Sequence, residues 1–285
     1  MRRLQLAALT AGLFMLGCPA EPAVQDAGPR RDVGRTIAQP DAGGWNFTPF
    51  DAGPPPPEGH LEGRIETVDG EGVANVDILC CSPSTCLIYT TDETGTYSYS
   101  DIPIGPRKMK TFDHDERYRT TLWHQVVREE ETTGLPRPIV MFEKQERTEW
   151  GGATVVLANG RLELTAPDSG IKFPIEDDNT VAAREVMPEQ FPPLDVDPWG
   201  DDATGVLTFL LEPDHLYAEA PIGVVVKLGD VDLAGSVYDV WTVDDSTAVT
   251  SKVGTARVNA AGDLVTDADC DVRALDALAF VPQRG

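Results

Sequence analysis

The chain has 285 residues, with 23 Lys and Arg against 47 Asp and Glu, a formal net charge of −24. That length suits about two domains, and a composition that is 41% hydrophobic and 25% charged belongs to a folded chain rather than a disordered one. The negative balance excludes nucleic-acid binding through a broad basic face and unaided adsorption to anionic lipid, while 26 Gly and 23 Pro without a collagen-like period point to a turn-rich, all-β chain.

Residues 1–17 read as an export signal. Arg2 and Arg3 form a short positive region, and Leu4 to Leu16 form an apolar run too short to cross roughly 30 Å of hydrocarbon as a helix. The run closes in Met15-Leu16-Gly17-Cys18, which resembles the lipobox of bacterial lipoproteins, with Met where that family usually has Leu. The resemblance implies cleavage before Cys18, acylation of Cys18, and attachment to the membrane through that residue. Acyl chains at about 0.8 kcal/mol per buried CH₂ would anchor the chain without a transmembrane helix. Pro19 rather than Asp after the cysteine leans the expected address toward the outer membrane of the cell envelope.

Residues 18–58 read as a tether. Positions 19–58 hold nine Pro and five Gly, the tripeptide Asp-Ala-Gly recurs at Asp26, Asp41 and Asp51, and no hydrophobic period appears. As a coil the segment reaches about 35 Å.

Residues 59–148 alternate with period two between turn signals, the pattern of an antiparallel sandwich of short strands. Val76, Ile78 and Cys80 fall on one face, and Thr96-Tyr97-Ser98-Tyr99-Ser100 alternates again after the polar turn Asp92-Glu93-Thr94-Gly95. The ordered segments Gly63-Arg64-Ile65, Gly72-Val73-Ala74-Asn75-Val76, Thr91-Asp92-Glu93-Thr94-Gly95-Thr96-Tyr97 and Ile102-Pro103-Ile104-Gly105 resemble the carboxypeptidase regulatory-like domain. That family implies a prealbumin-like, seven-stranded sandwich with an accessory, non-catalytic role. No zinc-peptidase spacing accompanies it among the four His.

Beyond Cys18 the cysteines are Cys80, Cys81, Cys86 and Cys270, an even number that suits disulfides in an exported protein. Either Cys80 or Cys81 reaches Cys86 across a short loop, leaving the other for Cys270, and three connectivities stay open. A metal held by Cys80, Cys81 and Cys86 is disfavoured, because adjacent strand residues point to opposite faces. Arg107, Lys108, Lys110, Arg117, Arg119 and Arg128 make the one net-basic stretch of this region. Arg107, Lys108 and Lys110 are therefore candidate ligand-binding residues, and the stretch as a whole suits docking to an anionic glycan, a lipid headgroup or the acidic second domain, or else an ordinary solvated surface paired within the chain.

Residues 149–285 read as a second sandwich. Strands are expected over 151–157, 161–165, 206–211, 224–228 and 237–243, with Asn159-Gly160 as a hairpin dipeptide. Leu207 to Tyr217 followed by Ala220-Pro221 resembles the β-sandwich shared by netrin receptors and ankyrins, an assembly module, although Glu212 and His215 stand where that family often has Gly. Asp267, Asp269 and Asp271 form D-x-D-x-D, but Val272 and Leu278 occupy the positions where an EF-hand needs Gly and Glu, so only a looser calcium site is left open. Trp199, in an acidic Pro-rich loop, is a candidate to stack on a sugar ring. No catalytic constellation, resident metal or cofactor is expected. The expectation is an all-β, non-catalytic lipoprotein of the cell envelope that presents interaction modules to an envelope protein, with a carbohydrate-binding module for cell-wall or extracellular glycan as the alternative.

Overall fold

The computed structural model describes residues 57–284, apart from 84, 130–131, 168–169, 175–177 and 245–246. Cys18 and the tether up to residue 56 lie outside the described residues. The residues described form strands, with three single-turn 3-10 segments and no α-helix among them, so the all-β expectation holds.

The first eight strands are β1 (Glu58–Thr67), β2 (Val76–Cys81), β3 (Cys86–Thr90), β4 (Thr96–Pro103), β5 (Gly105–Asp113), β6 (Leu122–Val127), β7 (Thr132–Thr133) and β8 (Ile139–Met141). One sheet has β1 between β4 and the short strands β7 and β8, and the other runs β3-β2-β5-β6. The period-two pattern explains the packing, since Val76, Ile78 and Cys80 of β2 and Tyr97 and Tyr99 of β4 are all buried. They meet Leu61, Ile65, Met109, Trp123 and Ile139 in one apolar core. One departure from a purely antiparallel sandwich is that β7 and β8 both pair with β1 in parallel.

The turn between β3 and β4 shows why its residues are what they are. The Asp92 carboxylate accepts from the backbone N–H of Thr94 at 2.8 Å and of Thr96 at 2.9 Å, and from the Thr94 hydroxyl at 2.7 Å. These bonds, that of the Thr94 side chain first, hold the carboxyl below its usual range. Gly95 follows at φ +79°, where a Cβ would lie 2.2 Å from the Ile65 carbonyl oxygen.

The other strands are β9 (Thr148–Glu149), β10 (Thr154–Leu157), β11 (Leu162–Thr165), β12 (Ile171–Lys172), β13 (Thr180–Val186), β14 (Leu207–Glu212), β15 (Tyr217–Ala218), β16 (Gly223–Lys227), β17 (Val237–Asp244), β18 (Val249–Val258), β19 (Asp263–Thr266) and β20 (Ala277–Pro282). Ten of them form one antiparallel sheet in the order β10-β11-β16-β19-β18-β17-β20-β14-β13-β9, and β12 pairs with β15 alone. The long sheet folds over on itself, because β10 at one end of the order lies against β13 and β9 at the other. Inward residues of the strands around this sheet, including Leu164, Val226, Val240, Phe209 and Phe280, therefore share one core. The β10–β11 hairpin forms where expected, with Ala158, Asn159 and Gly160 all at positive φ. The chain passes from one core to the other between Phe142 and Trp150, and both cores belong to a single compact unit spanning Pro54–Gly285.

Candidate functional site

Several charged side chains from the two halves of the folded body meet at a seam between the two cores. Its apolar part is a third cluster, which joins Leu122, Val140 and Phe142 from the side of the first core to Val186, Phe191, Leu194, Leu210, Val243 and Ala277 from the side of the second. Its polar part is built by alternation along β5. Arg107, Met109 and Thr111 face inward, so Lys108 and Lys110 emerge on the outer face of the sheet. There the Lys110 ammonium donates to Asp214 Oδ2, and it lies 3.0 Å from His215 Nε2. Burial works against ionisation of Asp214, but the hydrogen bond and charge of Lys110 outweigh it and hold the carboxyl below its usual range. Burial, followed by the like charge of Lys110, keeps the Lys108 amine below its ordinary value.

Arg119 enters the seam beside them. It is buried, its backbone N–H donates to the Phe142 carbonyl at 2.9 Å, and its Nη2 donates to the Leu211 carbonyl of β14 at 2.9 Å. Two buried acids of the second core lie in its field. Glu212, joined to Pro213 by a cis peptide bond, is raised by burial against the opposing charges of Arg119 and Arg147, the latter 3.8 Å away. Asp276 is pushed up to about 6 by burial, opposed mainly by the hydrogen bond that its Oδ1 accepts from the His215 N–H at 2.9 Å. Further cross-seam bonds run from Arg137 Nη2 to the Phe191 carbonyl at 2.8 Å and from Arg184 Nη2 to the Glu143 carbonyl at 3.1 Å. An open cleft of about 430 Å³ borders the seam, lined in part by His215, Tyr217, Asp271, Arg273 and Asp276.

The candidate residues read from the sequence fall in different places. Lys110 and Lys108 belong to the seam. Arg107 points inward instead, only 7% exposed, with its guanidinium bonded to the carbonyls of Pro103 and Pro106. Trp199 is half-buried and packs at 78° to Phe191, with ring centroids 5.8 Å apart, at the edge of the seam's apolar part. Cys81 and Cys86 form a disulfide that closes the β2–β3 loop. Cys80 and Cys270 are free and buried in separate cores, which corrects the expected bond to Cys270. Strand alternation sends Cys80 into the first core, away from any partner. The carboxylates of D-x-D-x-D diverge. Asp267 goes to Thr255 and Arg257, Asp271 goes to Arg273 at 2.7 Å, and Asp269 is exposed. Among the described residues no three His, Cys, Asp or Glu side chains gather around a metal position.

The sequence marked Arg119 only as part of a basic stretch able to dock against the acidic second domain, and it passed over Glu212 and Asp276 as seam residues. The available signal was the charged run Glu212-Pro213-Asp214-His215 directly after the apolar Phe209-Leu210-Leu211. The Lys110–Asp214 pair and the bonds from Arg119, Arg137 and Arg184 to backbone carbonyls join the two cores across the seam.

The sequence matches no protein-family model and no curated protein. Among solved structures, the major pilin subunit BcpA of Bacillus cereus superposes with a TM-score of 0.26 at 10% identity, over 80% of this chain and 59% of that one. A DUF3823 family protein from Bacteroides ovatus gives 0.25 at 10% identity, over 77% of this chain and 100% of that one. A putative carbohydrate binding protein from Bacteroides uniformis gives 0.22 at 10% identity, over 74% of this chain and 80% of that one. This chain thus spans about three-fifths of the pilin chain it matches, and similarity at this level assigns neither a shared function nor a family.

Proposed function

We propose that this protein is a lipid-anchored, non-catalytic binding protein of the cell envelope, whose two β cores act together as one rigid interaction module. The seam carries this reading. Lys110 and Arg119, from the most basic stretch of the sequence, are spent on Asp214 and the Leu211 carbonyl rather than offered to a ligand. What results is a stiff double module, suited to presenting surfaces at a fixed angle. The exposed Cys86 end of the Cys81–Cys86 disulfide supports export, since such bonds persist in oxidising compartments. The carboxypeptidase regulatory-like resemblance of residues 59–148 supports an accessory role, the lipobox-like Met15 to Cys18 supports a lipid anchor, and Pro19 after the cysteine supports an address at the outer membrane.

The test is metabolic labelling with radioactive palmitate together with fractionation. The expected result is a labelled protein in the envelope fraction, with label lost and protein released in Cys18→Ala. Label retained in Cys18→Ala, or an unlabelled protein in the cytoplasmic fraction, sinks the reading. Cross-linking in intact cells then identifies what the module holds.

A further inference from the structure

Asp276 lies at the floor of the open cleft beside the seam, about 430 Å³ in volume. One wall is the β17–β18 pair, with Thr242, Ser251 and Val253, and the other is made by segments 215–217 and 271–276. These two segments are tied together, since the Leu275 N–H donates to the Leu216 carbonyl at 3.1 Å and the Ala218 N–H to the Arg273 carbonyl at 2.9 Å. Asp276 is only 5% exposed. Its Oδ1 accepts from the His215 N–H, while its Oδ2, also buried, has no hydrogen-bond partner among the described residues. A buried carboxylate oxygen without a donor is costly, so this atom marks where the N–H or O–H of a ligand gains most.

The cleft is rich in acceptors and short of donors. Arg273, the one Lys or Arg among the described residues lining it, directs Nε to Asp271 Oδ1 at 2.7 Å and Nη1 to the Glu219 carbonyl at 2.8 Å. His215 Nε2 faces the Lys110 ammonium, which only donates, so this ring nitrogen accepts. Asp244, Asp271 and Asp276 stand on the lining against the single Arg273 guanidinium. Two cations behind the wall are already engaged: Lys110 donates to Asp214, and Arg119 serves both Glu212 and Asp276. Leu216 and Val253 add apolar surface, and Tyr217 is 43% exposed at the rim.

We propose that this cleft binds a primary ammonium group at the end of a methylene chain. An ammonium brings three donors and no acceptor, which matches an acceptor-rich lining, and its charge answers the excess of carboxylates. Asp276 Oδ2 accepts one of its N–H bonds, and the methylenes run along Leu216 and Val253 toward Tyr217. A sugar would need donors for its own oxygens and finds few here, and an anion is repelled. A free diamine and a lysine side chain both carry the required group. The inference gives a ligand class to the binding role proposed above and rests on it, but the two fail separately, because palmitate labelling reads the anchor and titration reads the cleft.

The test is isothermal titration of the full chain in detergent, at neutral pH and physiological salt, with cadaverine. A single saturable site is expected, and the diol of the same length is expected not to bind. Asp276→Asn keeps the shape of the floor and removes its charge. It is expected to weaken cadaverine by about tenfold to a hundredfold, the worth of a hydrogen bond to a charged group. Ser251→Trp, at an exposed position of the wall, is expected to fill the cleft and abolish binding without altering a buried group. Asp69→Asn removes an exposed acid of the first core and is expected to change nothing. A lysine blocked at both main-chain ends is titrated alongside. Tighter binding than cadaverine assigns the site to the lysine of a polypeptide, and weaker binding assigns it to a free amine. No saturable binding of either amine overturns the proposal. So does equal binding of the diol, undiminished binding by Asp276→Asn or Ser251→Trp, or a loss in Asp69→Asn as large as that in Asp276→Asn.

Discussion

Arg119, on the segment leading into β6, donates its Nη2 to the backbone carbonyl of Leu211 on β14, 2.9 Å away on the other core. The guanidinium is buried, and it lowers the cost of two buried acids, Glu212 and Asp276. Removing one member of a buried charged cluster leaves the others uncompensated, typically at about 3–5 kcal/mol. Arg119→Ala is therefore expected to destabilise the folded body by that amount in urea titration. It is also expected to expose the linker between the cores, residues 143–147, to protease before either core unfolds. A loss below about 1 kcal/mol would contradict the seam described above.

Asp276 sets a pH dependence whose sign is opposite to that of most acids. Its carboxyl ionises at about 6 in the folded chain, because of burial, against 3.8 ordinarily. Between those values the folded state holds a proton that the unfolded state has released, so lowering the pH favours folding. The destabilisation from Asp276 is fully present above pH 6 and gone below about 3.8. Each pH unit separating the two values is worth about 1.4 kcal/mol, so the whole effect amounts to about 3 kcal/mol. Asp276→Asn is expected to flatten the stability profile between about pH 7 and 4. An unchanged slope would show that another group is responsible. Asp77, Asp92 and Asp178 have depressed values and act the other way, losing their contribution as the pH falls through their folded values.

Thiol counting distinguishes the four cysteines beyond Cys18. Burial raises the thiols of Cys80 and Cys270 to about 11, and the thiolate is the reactive form. Native protein without reductant is expected to take up no alkylating reagent at these four positions. Denatured protein is expected to take up two equivalents, and reduced, denatured protein four. Cys81→Ser together with Cys86→Ser is expected to cost about 2 kcal/mol, the loop entropy of a short closed ring. Four equivalents without reductant would disprove the Cys81–Cys86 bond.

Two glycines at nearly the same φ separate conformational cost from collision. Gly70, at φ +80°, has nothing within 4 Å of an added Cβ, whereas at Gly95, φ +79°, the Cβ would meet the Ile65 carbonyl at 2.2 Å and the Val73 nitrogen at 2.7 Å. Gly70→Ala is expected to cost about 1 kcal/mol, the penalty of a left-handed conformation. Gly95→Ala is expected to cost at least twice that in the same thermal unfolding experiment. Equal costs would mean that the turn shifts freely.

The first core was the more legible portion of the sequence. Its strands carry clean alternation, as in Val76-Asp77-Ile78-Leu79-Cys80, and its turns carry Asp92 and Gly95 at their demanding positions. Several strands of the second core were not expected. β20, Ala277-Leu278-Ala279-Phe280, lies between β17 and β14 and is buried on both faces, so it shows no period. β18 breaks its alternation at Gly254, next to a register shift opposite Val240 and Trp241. The continuous ten-stranded sheet was illegible because closure depends on pairings distant in sequence, such as β14 with β20. The seam was half legible. Charge clustering marked the stretch from Arg107 to Arg128, but only the alternation of β5 in three dimensions sends Arg107 inward and Lys110 outward to Asp214.

The position of β1 decides how the body bears load. Tension arriving along the chain from residue 57 enters at Glu58, the first residue of a strand bonded on both flanks, antiparallel to β4 and parallel to β7 and β8. The force runs along the strand, so the hydrogen bonds on both flanks must slide together instead of breaking in succession. Pulled from its N-terminal side, β1 is therefore loaded in shear along both of its flanks.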